Sequence, residues 1–63
     1  MFYCMNYYTG EVEYKADTLK ECESWCYGIA AAENWGMCRR WMETDCPVID
    51  CGPRVYKILG GKY

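Results

Sequence analysis

Histidine is missing from this chain of 63 residues, and with it the side chain that most often serves as general acid or base near neutral pH. No glycine-rich phosphate loop, no Gly-x-Ser-x-Gly elbow and no His-Glu-x-x-His pair occurs. Those gaps leave no residues for phosphate cradling, elbow-type acyl transfer or zinc-dependent proteolysis. Apolar runs near the ~20 residues of a membrane helix are lacking, as is the apolar stretch of a signal peptide. With Met1 taken as the native start, the chain is expected in the cytoplasm of the cell that makes it. No basic stripe of the kind that follows a nucleic-acid backbone is present. Direct nucleic-acid binding and membrane binding are therefore not expected. Internal repeats, low-complexity tracts and interior linkers are also absent.

The remaining candidates for chemistry are weak ones. Glu11 and Glu13 are alternate residues of one strand-like segment, a pattern more typical of a solvated sheet face than of an acid/base pair. A reactive thiol needs a lowered pKa, yet Cys22 lies among Asp17, Glu21 and Glu23, which oppose a thiolate. The reading is a non-enzyme that requires no cofactor and no metal.

What is abundant is cysteine and aromatic side chains: six Cys, seven Tyr, three Trp and one Phe. A chain this short forms one domain, residues 1–63, and buries only about 60% of its unfolded surface. Cross-links, a metal or dense aromatic packing usually supplement so small a core. The charge is uneven. Residues 1–33 carry six acidic and two basic side chains, and residues 34–63 carry three and five. The acidic half suits a basic partner surface.

Along the chain, Phe2–Tyr7 is rich in strand formers and residues 11–16 alternate apolar with polar, so residues 1–16 read as a β-hairpin. A two-residue turn would force Thr9 to positive φ, which a β-branched residue resists. A three-residue loop with Gly10 in the left-handed position avoids this. It pairs Tyr7 with Glu11, Met5 with Glu13 and Cys4 with Tyr14. One face then holds Phe2, Cys4, Asn6, Val12, Tyr14 and Ala16 toward the core. The other holds Tyr3, Met5, Tyr7, Glu11, Glu13 and Lys15. Thr18 and Glu21 fit a capping box, and Gly36 is a natural stop, so a helix is expected over 18–35. Its apolar stripe is Leu19, Cys22, Cys26, Ile29 and Ala30. Residues 37–43 and 54–59 suit strands, 46–53 reads as a loop because Pro47, Gly52 and Pro53 punctuate it, and 60–63 is a tail. The expected fold is α+β: ββαββ, a small antiparallel sheet with one helix packed on one face.

Three readings of the cysteines stay open. The thiols of Cys22 and Cys26 lie one helical turn apart on the buried stripe, where free Cys packs as a small hydrophobe. A four-thiolate metal site from Cys22, Cys26, Cys46 and Cys51 would use loose spacings compared with ordinary zinc knuckles. The third reading is a disulfide framework. Cys22-xxx-Cys26 followed by Gly36-x-Cys38 resembles the cystine-stabilised αβ family of defensins and toxins. That resemblance implies a secreted, disulfide-rich antagonist. The chain departs from the family at its last element. Cys46 and Cys51 are five residues apart, whereas a spacing of two would keep both sulfurs on one strand face.

Tyr3, Met5, Tyr7, Glu11 and Glu13 are the candidate partner-binding residues. Tyr and Met are enriched at interfaces, and an aromatic row rimmed by charge reads as a contact patch. The opening "NYYTGEVEYKADTLKECESW" resembles the strand–TGE–strand–DTLEEC openings of small bacteriophage and prophage open reading frames. The resemblance covers about twenty residues. It implies an anti-defence type inhibitor or adaptor, anti-CRISPR proteins among them, that binds a host protein with a basic or aromatic-accepting surface.

Overall fold

A computed structural model describes residues 1–33 and 38–60. The elements in chain order are β1 (Phe2–Asn6), β2 (Val12–Ala16), α1 (Leu19–Ala32), β3 (Arg39–Glu43), β4 (Cys46–Asp50) and β5 (Val55–Leu59). The strands form one five-stranded antiparallel sheet in the order β2-β1-β5-β4-β3. The α+β class and the single helix agree with expectation. The segment read as a loop instead contains the strand β4, so the layout is ββαβββ.

The missed strand has a physical explanation. Pro47 speaks against a central strand because it cannot donate to a ladder. In the structure, pairing of β4 with β5 runs only from Val48 to Asp50, and Pro47 lies just beyond its end. Two tight turns flank β4. Thr44 and Asp45 have φ of 51° and 64°, the type I′ geometry of a two-residue hairpin. Gly52 has φ of 83° and precedes Pro53, and across this tight connection the Cys51 N–H donates to the Arg54 carbonyl at 2.9 Å, a bond of the β4–β5 ladder.

The first hairpin also differs from expectation in register. Cys4 faces Tyr14 as expected, but Met5 faces Val12, with a bulge between the two pairs. The Asn6 N–H donates to the Glu11 carbonyl and the Gly10 N–H to the Asn6 carbonyl, so residues 7–10 form a four-residue loop. Asn6 Oδ1 accepts from the Tyr8 and Thr9 N–H groups, an Asx-type turn that stabilises this longer loop. Gly10 takes φ of 78°, as the left-handed position requires. Tyr7–Glu11 and Met5–Glu13 are therefore not the partners, and Glu13 is the extra residue of the bulge.

Helix α1 starts where its cap predicts: Thr18 Oγ1 accepts from the Glu21 N–H at 3.2 Å. It ends at Ala32, with Glu33 as the C-cap donating to the Ile29 carbonyl. The stop proposed at Gly36 lies outside the described residues. The helix packs on β2, β1 and β5. Its buried residues are Cys22, Cys26 and Ala30, while Leu19 and Trp25 are half-buried against the core. On the sheet side the core consists of Cys4, Ala16, Ile49, Cys51, Tyr56 and Ile58. Aromatic packing supplements it: Tyr14 stacks on Trp25 at 4.9 Å, and Trp25 meets Tyr56 edge-on at 5.0 Å. At the end of the sheet Gly60 approaches the Phe2 ring so closely that a Cβ there would overlap it.

Candidate functional site

The sheet has the helix on one face only. Strand alternation carries Cys4, Ile49, Tyr56 and Ile58 to the helix and sends the intervening residues to the opposite face. The register defines a continuous row there, Val12–Met5–Lys57–Val48–Trp41, spanning all five strands. Val48, next to Trp41 in the row, is fully buried, while the ends Val12 and Trp41 are exposed, 47% and 39%. Beside the row, Tyr3, Val12, Lys15 and Leu59 line a shallow groove of about 380 Å³. Lys15 Nζ sits 5.9 Å from the Tyr3 ring centroid, within cation–π range.

Glu43 organises the far side of this face. Tyr7 Oη donates to its carboxylate at 2.9 Å and 3.2 Å, and Lys57 Nζ lies 3.7 Å away. The Tyr7 N–H donates to the Val55 carbonyl, which fixes the ring at the sheet margin. The Tyr7 hydrogen bond, helped by Trp41 and Lys57, holds the Glu43 carboxyl below its ordinary pKa. The same bond, seen from the phenol, raises Tyr7. These groups bridge the end of β1 to β3 across the intervening strands.

The five sequence candidates do not all converge here. Tyr3 and Met5 belong to this face, and Tyr7 reaches it through Glu43. Glu11 sits at the mouth of the first hairpin, exposed. Glu13 turns to the helix side, accepting from Asn6 Nδ2 at 2.9 Å and Tyr56 Oη at 3.0 Å. The bulge is the cause, because one extra residue reverses which face a strand position takes. The same shift moves Val12 out of the expected core and onto the open face. The acidic rim expected beside Tyr3 and Met5 is thus replaced by Val12, Lys15, Lys57 and Glu43. Trp41, Glu43 and Lys57 were not among the candidates. The alternation of Trp41 and Glu43 is legible in "RRWME", but their face is defined only once β3 pairs with β4.

All six cysteines are free thiols. Cys26 Sγ lies 3.9 Å from Cys4 Sγ, and the Cys4 thiol donates to the Cys22 carbonyl at 3.5 Å. Cys51 Sγ lies 3.7 Å from the Cys26 carbonyl and 3.0 Å from Cys38 Sγ. Cys46 heads β4 on the alternate face from Cys51, as the odd spacing requires, so Cys22, Cys26, Cys46 and Cys51 are not brought together. Among the described residues no group of three or more Cys, Asp or Glu side chains is arranged to hold a metal. Burial pushes the Cys22 and Cys51 thiols up to about 12. Cys4 is raised as well, by its hydrogen bond with Cys26 and by burial. Protonated, enclosed thiols of this kind are poor nucleophiles.

No family model matches the chain, and no curated protein or solved structure matches it either.

Proposed function

We propose that this chain is a non-enzymatic protein-binding inhibitor or adaptor, of the kind phages and mobile elements encode against host machinery such as CRISPR or other defence components. It acts in the host cytoplasm and engages its partner with the face of the sheet opposite the helix. The observation that carries this reading is the five-strand row ending in exposed Val12 and Trp41, beside the groove at Tyr3 and Leu59. No element among the described residues covers that face. Exposed aromatic and apolar groups gathered on one face are the usual material of a protein interface.

The partner's chemistry follows from charge. The chain's pI is about 4.9, which disfavours anionic polymers and anionic membranes. On the face itself Lys57 is paired with Glu43 and Arg39 with Asp50, and Lys15 rests on the Tyr3 ring. These charges leave the basic partner surface expected from the sequence without an unpaired acidic counterpart among the described residues of this face, so a host protein with an aromatic-accepting surface is the occupant that fits. The test is titration of a purified partner against wild type, Val12→Glu, Trp41→Ala and Met42→Ala. The first two variants weaken binding about tenfold or more, the scale of an interface hot spot. Met42→Ala, exposed on the helix side of β3, leaves it unchanged. Unchanged affinity in both row variants rejects this face, and a self-dimer that Val12→Glu dissolves assigns it to a second copy instead.

The close approach of Cys38 to Cys51 at 3.0 Å favours a second reading, a secreted disulfide-rich antagonist. Its complete form needs three bridges, and Cys46 stands on the wrong face to join one. Intact mass under non-reducing conditions separates the two readings. A three-bridge peptide is lighter than its reduced form by six hydrogens, one for each of its six cysteines.

A further inference from the structure

Cys38 immediately precedes β3 and Cys51 immediately follows β4. The β3–β4 register pairs Arg39 with Asp50, so one step further along it residue 38 faces residue 51. The hydrogen bonds place that position in its ladder. The Cys51 N–H is committed to the Arg54 carbonyl on the β5 side. Because N–H directions alternate in antiparallel ladders, Cys51 occupies a non-hydrogen-bonded site toward β3. Such pairs have Cα atoms about 4.5 Å apart with side chains close, which lies inside the ~4.4–6.8 Å window that a disulfide accepts. The two sulfurs are 3.0 Å apart, so about 1 Å of approach separates them from a bond of ~2.05 Å.

We propose that Cys38 and Cys51 are a reversible redox pair, forming a cross-strand disulfide when the chain meets a small-molecule disulfide of the glutathione class. Access sets the order of events. Cys38 is half-buried with part of its surface in solvent, whereas Cys51 is 1% exposed. The Cys38 thiolate attacks one sulfur of the small disulfide. That S–S bond breaks, a first small thiol leaves, and a mixed disulfide remains on Cys38. Cys51 then gives up its proton and attacks Cys38 Sγ, and the second small thiol leaves carrying a proton. Two protein thiols are oxidised, one small disulfide is reduced to two thiols, and the electrons balance. Burial that holds Cys51 protonated until about pH 12 keeps it from the first attack. Its place 3.0 Å from Cys38 Sγ makes it the group that resolves the mixed disulfide once deprotonated. Cys4 and Cys26 are also neighbours, at 3.9 Å, but both are fully buried, which denies an external oxidant entry.

The bridge ties the approach to β3 onto the strand end that abuts the Cys26 carbonyl of the helix. It thereby staples the outer hairpin of the sheet in register. The open face opposite the helix does not change.

The test uses the full chain, equilibrated in glutathione mixtures from fully reduced to fully oxidised, then acid-quenched, alkylated and weighed intact. In oxidising mixtures wild type loses the mass of a pair of hydrogens and four of its six thiols still alkylate. Excess thiol restores all six. Fragment ions from the linked peptides ending at Arg39 and Arg54 place the bridge on Cys38 and Cys51 rather than on Cys22, Cys26 or Cys46, which share those peptides. The Cys46→Ser chain behaves like wild type, Cys38→Ser shows no bridge, and Cys51→Ser traps the glutathione adduct on Cys38. The thermal midpoint of the oxidised form rises by roughly 10 °C, as expected for closing a loop of this length. Six alkylated thiols in fully oxidised glutathione overturn the proposal, as does a bridge mapped to any other pair. Cys38 is partly exposed, so Cys38→Ser folds and keeps the test decisive even if Cys51→Ser does not.

Discussion

Glu43 is the residue on which the open face turns. Its carboxylate collects the Tyr7 hydroxyl and the Lys57 ammonium, and these donors favour its charged form. A carboxyl depressed in the folded state adds stability above its unfolded pKa, and that contribution is lost as pH falls through the folded value. Tyr7→Phe removes the largest cause, so the Glu43 titration followed by carboxyl NMR shifts to higher pH while Tyr7 no longer reports. An unmoved midpoint means the hydrogen bond is not made in solution. Tyr56 is the corresponding residue on the helix side. It is fully buried, donates to Glu13 and accepts from Arg54. Tyr56→Phe keeps the ring and drops the hydroxyl, and denaturant unfolding should show a loss of about 1 kcal/mol. A loss nearer the 3–5 kcal/mol of a large aromatic truncation would mean that the ring itself had moved.

At the scale of elements, the β3–β4 turn is the least comfortable piece of backbone. Thr44 is β-branched and sits at φ of 51°, a region that costs an L-residue of this shape roughly 1–2 kcal/mol. Asn tolerates the same geometry and is preferred there. Thr44→Asn should therefore stabilise the chain by about 1 kcal/mol, read as a higher urea midpoint with unchanged m-value. A neutral or destabilising result would show that Thr44 has compensating contacts. The first hairpin makes the complementary point. Asn6 caps its loop through Oδ1, and that side-chain chemistry, rather than Thr9, selects four loop residues over three. The added length and the bulge then decide which way Val12 and Glu13 face.

At the scale of the whole molecule, a core built around thiols ties stability to alkaline pH. In the unfolded chain a thiol ionises near 9.0, whereas Cys22 and Cys51 hold their protons to about 12 in the fold. The unfolded state therefore releases protons first as pH rises. By linkage, stability is fully present below about 9 and is lost progressively between that value and about 12. Tyr56, raised mainly by burial, adds to the loss in the same direction. Urea midpoints measured in reducing buffer should fall steadily above pH 9. A flat profile to pH 11 would mean that these thiols are hydrated rather than enclosed. The margin available is small, because a domain of 63 residues starts with little buried surface to lose.

The local sequence determined the elements whose signals are self-contained. The Thr18 cap, the inward thiols of Cys22 and Cys26 and the odd spacing that parts Cys46 from Cys51 depend on neighbours within a turn or a strand, whereas Cys4 meets Tyr14 only because the bulge offsets the longer loop. Tertiary structure decided the rest. β4 exists because β3 and β5 supply partners on either side, which outweighs the disruptive Pro47 at the end of its ladder. The open face is a row of one residue from each strand, brought together by long-range pairing. No local pattern could name Trp41 and Glu43 as its members, because the side chain a strand presents depends on the register its neighbours impose.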